Sequence, residues 1–183
     1  HNYEWDKHLV NIIDTPGYSD FIHDTRDCLM VVGGAVVILS AISGVKVATE
    51  EVWKFADEYA VSRIAFVNKM DKEYANFLRA VDDMERVLNA RGVPVVIPIG
   101  SAENFKGVID LLNMKAFIYK DDFSGGYETK DIPQELLEEA KKMQEHMIEM
   151  IAEADDMLTE KYLNGEELTV DELKKGLKEG VLT

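Results

Sequence analysis

Short, β-branched apolar runs alternate with amphipathic stretches along the first half of the chain. Leu9-Val10-Asn11-Ile12-Ile13, Ala35-Val36-Val37-Ile38-Leu39, Ile64-Ala65-Phe66-Val67 and Val93-Pro94-Val95-Val96-Ile97 are nearly continuous in apolar residues, as strands buried on both faces of a parallel sheet are. Between them the spacing turns helical, as in Val52, Phe55, Ala56 and Tyr59 or Phe77, Val81, Met84 and Leu88. A further helix is predicted over Ser19 to Val32. Strand, helix and strand repeated in this order predict an open α/β sheet with right-handed crossovers, and in such sheets ligands bind beyond the carboxyl ends of the strands.

After Gly100 the pattern changes. Val108-Ile109-Asp110-Leu111-Leu112 and Ala116-Phe117-Ile118-Tyr119 read as closely spaced strands, with a further strand within Tyr127 to Ile132 after Gly125-Gly126. Pro133 suits the first turn of a helix. Leu136, Leu137, Ala140, Met143, Met147, Ile148 and Ile151 keep to one face of that helix. Gly165 ends the next one, and Thr169 to Leu177 reads as a short last helix, with Thr169 as N-cap and Glu172 completing a capping box. The expected organisation is a sheet domain over residues 1–99 and an α+β insert over 100–183.

Composition narrows the function. The net charge is −15, which argues against a direct grip on nucleic acid, since that needs a basic face. Residues 133–183 carry 14 acidic and 6 basic side chains, which makes either a solvated helix face or a docking surface for a basic protein. No uncharged apolar run approaches the roughly 20 residues that span a bilayer, so no membrane role is expected. The opening His1-Asn2-Tyr3-Glu4 has neither Met nor a basic-then-apolar leader, which reads as a fragment without a signal peptide. The single cysteine, Cys28, precludes an internal disulfide and is expected to be a small buried hydrophobe in a reducing, cytoplasmic setting.

Two polar motifs follow predicted strands. In Asp14-Thr15-Pro16-Gly17, an aspartate can hold Mg2+, usually through a bound water, and a glycine lets a backbone N–H approach a terminal phosphate. Alone this motif is weak. Asn68-Lys69-Met70-Asp71 is more specific. A carboxylate at Asp71 can accept from both N1–H and the exocyclic amine of guanine, whereas adenine presents an unprotonated N1 there. Lys69 would pack its stem along base and ribose, and Asn68 would tie the loop to its neighbours. The bland alternative is a pair of polar turns after buried strands, but both motifs in this order at strand ends favour a nucleotide.

The stretches NIIDTPGYSDF, GAVVILSAISGV, EEVW and RIAFVNKMDK closely resemble the GTP-binding domain of elongation factor G. IPIGSAENFKGVIDLLNMKAFIY resembles the start of that factor's own insert, the G-prime subdomain, and EADDMLTEKYLNGEEL its later helices. The resemblance covers essentially the whole chain. It implies part of a P-loop GTPase-type parallel sheet with flanking helices, plus the insert. It also implies a cytoplasmic translational GTPase that uses GTP/GDP and Mg2+ and drives translocation or a related ribosomal step. Asp14, Thr15, Pro16, Gly17, Asn68, Lys69 and Asp71 are then the nucleotide residues, with Asp14 on Mg2+. The implied partners are the large-subunit stalk protein, met through the acidic insert, and the tRNA- and mRNA-bearing ribosome, met through domains outside this chain.

Three departures accompany the resemblance. There is no Gly-x-x-x-x-Gly-Lys-Ser/Thr phosphate cradle, so the isolated chain is expected to be inactive and to bind GTP weakly at best. Gly100-Ser101-Ala102 mimics the last guanine loop, but the residues after it match the insert, which puts the true loop beyond Thr183. The family's histidine after Asp-Thr-Pro-Gly, which orients the attacking water, is Tyr18 here, and Val47-Ala48-Thr49 replaces the usual Pro-Gln-Ser/Thr. Both point to a divergent branch. A neutral phenol is a poor base, which leaves open a GTP-dependent ribosome-binding protein with impaired hydrolysis.

Overall fold

A computed structural model describes every residue except Asp121, Phe123 and Thr183. The strands are β1 (Asn2–Trp5), β2 (His8–Asn11), β3 (Ala35–Ser40), β4 (Arg63–Asn68), β5 (Val96–Ile99), β6 (Gly107–Asp110), β7 (Lys115–Tyr119) and β8 (Tyr127–Lys130). The helices are α1 (Ile22–Leu29), α2 (Val47–Glu58), α3 (Phe77–Leu88), α4 (Gln134–Ala152), α5 (Asp156–Leu163) and α6 (Val170–Leu182). The result is a mixed α/β chain. Its contacts group into two compact units, His1–Val37 with Lys46–Ala65, and Ile38–Val45 with Phe66–Thr183.

β3 and β4 pair with each other. The Ala35 N–H donates to the Ser62 carbonyl and the Ala41 N–H to the Asn68 carbonyl, both at 2.9 Å. The partners advance together along both strands, so the pair is parallel. One expectation fails here in part. Val36, Ile38, Ile64 and Phe66 are exposed, so these strands are not buried on both faces.

The first apolar run is not a parallel strand at all. β2 pairs antiparallel with β1, from Trp5 opposite His8 to Asn2 opposite Asn11. The two turn residues, Asp6 and Lys7, have φ of 43° and 63°, as the tight hairpin turn that follows the strands' own twist requires. A partner only two residues away satisfies the ladder locally, and Leu9, Ile12 and Ile13 remain exposed. The signal was faint, because Asp-Lys is not the usual Asn-Gly or Asp-Gly of such turns.

In the first unit, the buried Leu29, Ala56 and Val61 pack with Val32, Ala35, Phe55 and Tyr59, which sets α1 against α2. Cys28, on α1, is half-buried and not enclosed, because its position on the helix lies at the margin of this contact.

In the second unit, β5 to β8 form one antiparallel sheet in chain order. The fourth apolar run therefore starts this sheet and is not a parallel strand. Pro94 has no N–H to give to a ladder, and pairing begins at Val96 opposite Asp110. Ile97, Ile99, Ile109, Leu111 and Ala116 point into a core that α4 covers with Ala140, Met147, Ile151 and Ala152. Gln144 on α4 also donates its side-chain amide to the Leu111 carbonyl at 2.9 Å. Asp155 caps α5 by accepting from the Met157 and Leu158 N–H groups. The expected capping box opens α6: Glu172 accepts from the Thr169 N–H at 2.9 Å, and the Thr169 hydroxyl accepts from the Glu172 N–H at 3.3 Å. That helix runs past Leu177 to Leu182. Its glycines do not end it but allow close approach: a Cβ on Gly176 would come within 2.6 Å of Ile151 and 2.7 Å of Leu158. Among the described residues no helix is long and apolar enough to cross a membrane.

Candidate functional site

Residues 12–17 leave β2 without regular structure and end at a 3-10 turn over Ser19–Phe21 that leads into α1. The Tyr18 carbonyl accepts from the Phe21 N–H at 3.0 Å, which couples the end of this segment to the turn. Asp14, Pro16, Gly17 and Tyr18 are exposed and Thr15 is half-buried. Tyr18 is 77% exposed. Gly17 has neither a left-handed backbone nor any atom within 4 Å of where a Cβ would stand. Packing within the described residues therefore does not demand glycine at that position.

The second motif leaves the carboxyl end of β4, and main-chain bonds hold it at both ends. The Asn68 carbonyl accepts from Ala41 N–H at 2.9 Å, and the Met70 carbonyl accepts from Ala102 N–H at 2.8 Å. The Met70 side chain is buried and anchors the loop from below. Lys69 stands at φ 66°, a left-handed conformation that costs an L-residue roughly 1–2 kcal/mol and that turns the chain sharply after the strand. A further bond from Lys72 N–H to the Lys69 carbonyl, 3.2 Å, closes the turn. The Asn68 side chain, expected to reach neighbouring loops, instead accepts from its own neighbour's N–H, that of Lys69, at 2.7 Å. The tie to the neighbouring loop is made by its main chain.

Asp71 emerges from this frame with its side chain 57% exposed and paired to Lys72 Nζ at 2.7 Å. The hydrogen bond from Lys72 holds its carboxyl below the usual aspartate range, so it is an anion with an accessible edge. An ion pair this exposed is worth little and yields readily to a better donor pair. Asp71 is not among the residues lining the nearby cavity of about 290 Å3, which lies between Met70, Phe77, Gly100, Leu136 and Met143.

Two further residues support this loop. Asn76 accepts from Arg79 N–H as the α3 N-cap at 2.9 Å, while its own N–H donates to the Ala41 carbonyl at 2.9 Å. Arg79 reaches the Ala41 and Ile42 carbonyls with its guanidinium. The cap was legible from an Asn before an apolar-periodic run, but the links to Ala41 and Ile42 were not. The structure thus gathers Asn68, Lys69 and Asp71 on one hydrogen-bonded loop of the second unit. Asp14, Thr15, Pro16, Gly17 and Tyr18 form a separate segment of the first.

Among the described residues no group of three or more His, Cys, Asp or Glu side chains is placed to hold a metal. The Asp14 carboxylate is exposed and makes no hydrogen bond or ion pair among them. One available carboxylate suits Mg2+, which keeps most of its waters and takes its remaining ligands from phosphates.

The family model described as the elongation factor Tu GTP binding domain matches residues 1–178. A protein from Thermus thermophilus, known from a crystal structure, matches with a TM-score of 0.87 and 32% sequence identity over 99% of this chain. The match covers 27% of that protein's length, so this chain spans about a quarter of it.

Proposed function

Because the chain belongs to the elongation factor Tu GTP-binding domain family, we propose that it is the nucleotide-sensing part of a translational GTPase of the elongation factor G type, in the branch with tyrosine after Asp-Thr-Pro-Gly. The observation that carries this reading is Asp71: an accessible, ionised carboxylate on a loop whose main chain is tied down on both sides. A base reader needs that combination, because ordering a floppy loop on binding would consume the energy that discriminates guanine. Asp71 would accept from N1–H and the exocyclic amine of guanine, with Lys69 along the base and ribose. Asp14 would hold Mg2+, which when bound neutralises charge on the phosphates. Thr15 and Pro16 would set the path of the segment, and the Gly17 N–H would meet the terminal phosphate, unobstructed by a side chain. Loss of that phosphate would release the segment and shift α1.

Replacing Asp71 by Asn tests this. An amide offers a donor where the exocyclic amine of guanine also donates, so GTP affinity of the intact protein should fall roughly 5- to 150-fold, the reach of about 1–3 kcal/mol of base discrimination. Xanthine nucleotide, with a carbonyl in place of that amine, should bind better to the variant than to the parent. Unchanged GTP affinity in D71N would remove the reading.

The proposal extends to a cytoplasmic role on the ribosome, in translocation or a related step, with residues 1–99 as the sheet domain and 100–183 as the insert. The acidic insert would meet a basic surface of the large-subunit stalk, and nucleic acid would be met elsewhere in the protein. Glu138, Glu145, Glu149 and Glu153 are all exposed along α4 and its end, in keeping with such a surface. Reversing their charge should slow stalk-dependent association and flatten its salt dependence. If neither moves, the insert has another task. Tyr18 favours a second reading, occupancy of a ribosomal site with little turnover, because an exposed phenol stands where the family's histidine would orient the attacking water.

A further inference from the structure

We infer that Arg26 is a positioning residue for the segment Asp14–Tyr18: by clamping α1 to the end of α2, it fixes where that segment stands and so favours GTP over GDP. The inference rests on the guanine-nucleotide reading above.

Arg26 meets three side chains at the end of α2. Its Nε donates to the Tyr59 hydroxyl at 2.8 Å and its Nη2 to Glu58 Oε1 at 2.8 Å. The guanidinium carbon also lies 5.3 Å from the Phe55 ring centroid and 5.8 Å from that of Tyr59. All three partners belong to the last turn of α2 and the residue after it. The apolar cluster here is built on the buried Leu29, Ala56 and Val61 among the described residues, and this polar clamp adds to what seats α1. The helix has eight residues and continues from the 3-10 turn whose first hydrogen bond is accepted by the Tyr18 carbonyl. A shift of α1 therefore carries Tyr18 and Gly17 with it.

A second observation shows that the seat is not a deep minimum. The Thr25 hydroxyl, next to Arg26, is buried and has no hydrogen-bond partner among the described residues. A helix held in place against an unpaired buried hydroxyl is suited to a second position, as a switch element must be. Taken as an ordinary surface ion pair, with Arg26 40% and Glu58 49% exposed, the clamp would contribute little and would not discriminate between ligands. As a positioning device it acts selectively. Only GTP has the terminal phosphate that the 14–18 segment meets, so only GTP binding must bear the cost of ordering a loosened segment.

The test is equilibrium binding of GTP and GDP to the intact protein, comparing the parent with R26A, R26K and Y59F. R26A should weaken GTP about 3- to 10-fold more than GDP, the range expected from an exposed ion pair combined with cation–π contacts. R26K should recover less than half of that loss, because an ammonium cannot reach Tyr59 and Glu58 with a planar fork. Y59F should show a smaller shift of the same sign. Selectivity for GTP over ATP, which depends on the 68–71 loop, should stay at the parent value throughout and so report an intact fold. A GTP-to-GDP ratio within 2-fold of the parent in R26A overturns the inference, as does equal weakening of both nucleotides. Loss of the Arg26 effect with guanine selectivity intact removes only this inference. Failure of the parent to discriminate guanine from adenine removes both it and the function proposed above.

Discussion

The Ala102 N–H donates to the carbonyl of Met70 at 2.8 Å, and through this bond the turn after β5 steadies the loop that presents Asp71. The geometry of that turn is unusual. Gly100 has φ 76° and Ala102 has φ 51°, yet only one of the two is glycine.

Substitutions in this turn should therefore have opposite signs. A Cβ on Gly100 would overlap the Asn104 carbonyl as well as strain the backbone, so G100A should cost more than about 2 kcal/mol, beyond the 1–2 kcal/mol of left-handed strain alone. A102G relieves the strain already present and should be neutral or stabilising by up to about 1 kcal/mol, with part of the gain offset by the freer unfolded chain. Urea denaturation midpoints of the two variants check the ranking, and a G100A midpoint equal to the parent's would contradict it.

The Thr25 hydroxyl is buried without a hydrogen-bond partner among the described residues. Valine has the same shape without the polar group, and replacing an unsatisfied buried group by an apolar isostere is neutral or stabilising, here by about 1 kcal/mol. Thermal unfolding of T25V should show an unchanged or raised midpoint. A loss of more than about 1 kcal/mol would mean that the hydroxyl is satisfied after all.

At position 18, the exposed phenol should contribute little to hydrolysis. Y18F is expected to leave ribosome-stimulated turnover of the intact protein within about 3-fold of the parent. Y18H, which introduces a group able to take a proton near neutral pH, should raise it by about 10-fold or more, toward the 10²–10⁴ range typical of a positioned acid–base group. A collapse of turnover in Y18F would give the hydroxyl a catalytic role, and the reading with impaired hydrolysis would fall.

Acid sensitivity of the second unit should run through Glu172. The hydrogen bond from Lys161, with those from Thr169, lowers its carboxyl from the ordinary 4.5 to about 2. A carboxyl lowered in the folded state stabilises fully above its unfolded value and progressively less as pH falls through its folded one. This contribution is thus complete above pH 4.5 and fades toward pH 2. In E172Q the slope of stability against pH should flatten in that window. T169A, which removes the N-cap hydroxyl, should cost about 1 kcal/mol at neutral pH. A parent-like acid slope in E172Q would assign the sensitivity to another carboxylate.

The two polar motifs of the candidate site were legible because each is a short local run of residues. A carboxylate is the side chain that the proposed guanine contact calls for, which marks Asp71 by type. The capping box of Thr169 and Glu172 was visible for the same reason, since it is a short-range contact between side chain and main chain, and Pro133 marked the start of α4, where it is the N-cap residue. The apolar spacing of α2, α3 and α4 likewise gave their buried faces in advance. The hairpin of β1 and β2 was missed and the placement of β5 misread. Continuous apolar runs do not say which strand completes their ladder, and Asp6-Lys7 carries no strong turn signature.

The sequence by itself determined where helices begin and which of their faces are apolar, and it marked the side chains proposed to read a base or approach a phosphate, because those properties depend on residue type and on neighbours a few positions away. The tertiary structure alone decided that Asn68 is tied through its main chain to Ala41, that Met70 is tied to Ala102, and that Arg26 closes on Phe55, Glu58 and Tyr59. Backbone N–H and C=O groups are the same at nearly every residue, and an arginine can pair with any acid within reach, so partners distant in sequence leave no mark in it until folding brings them together.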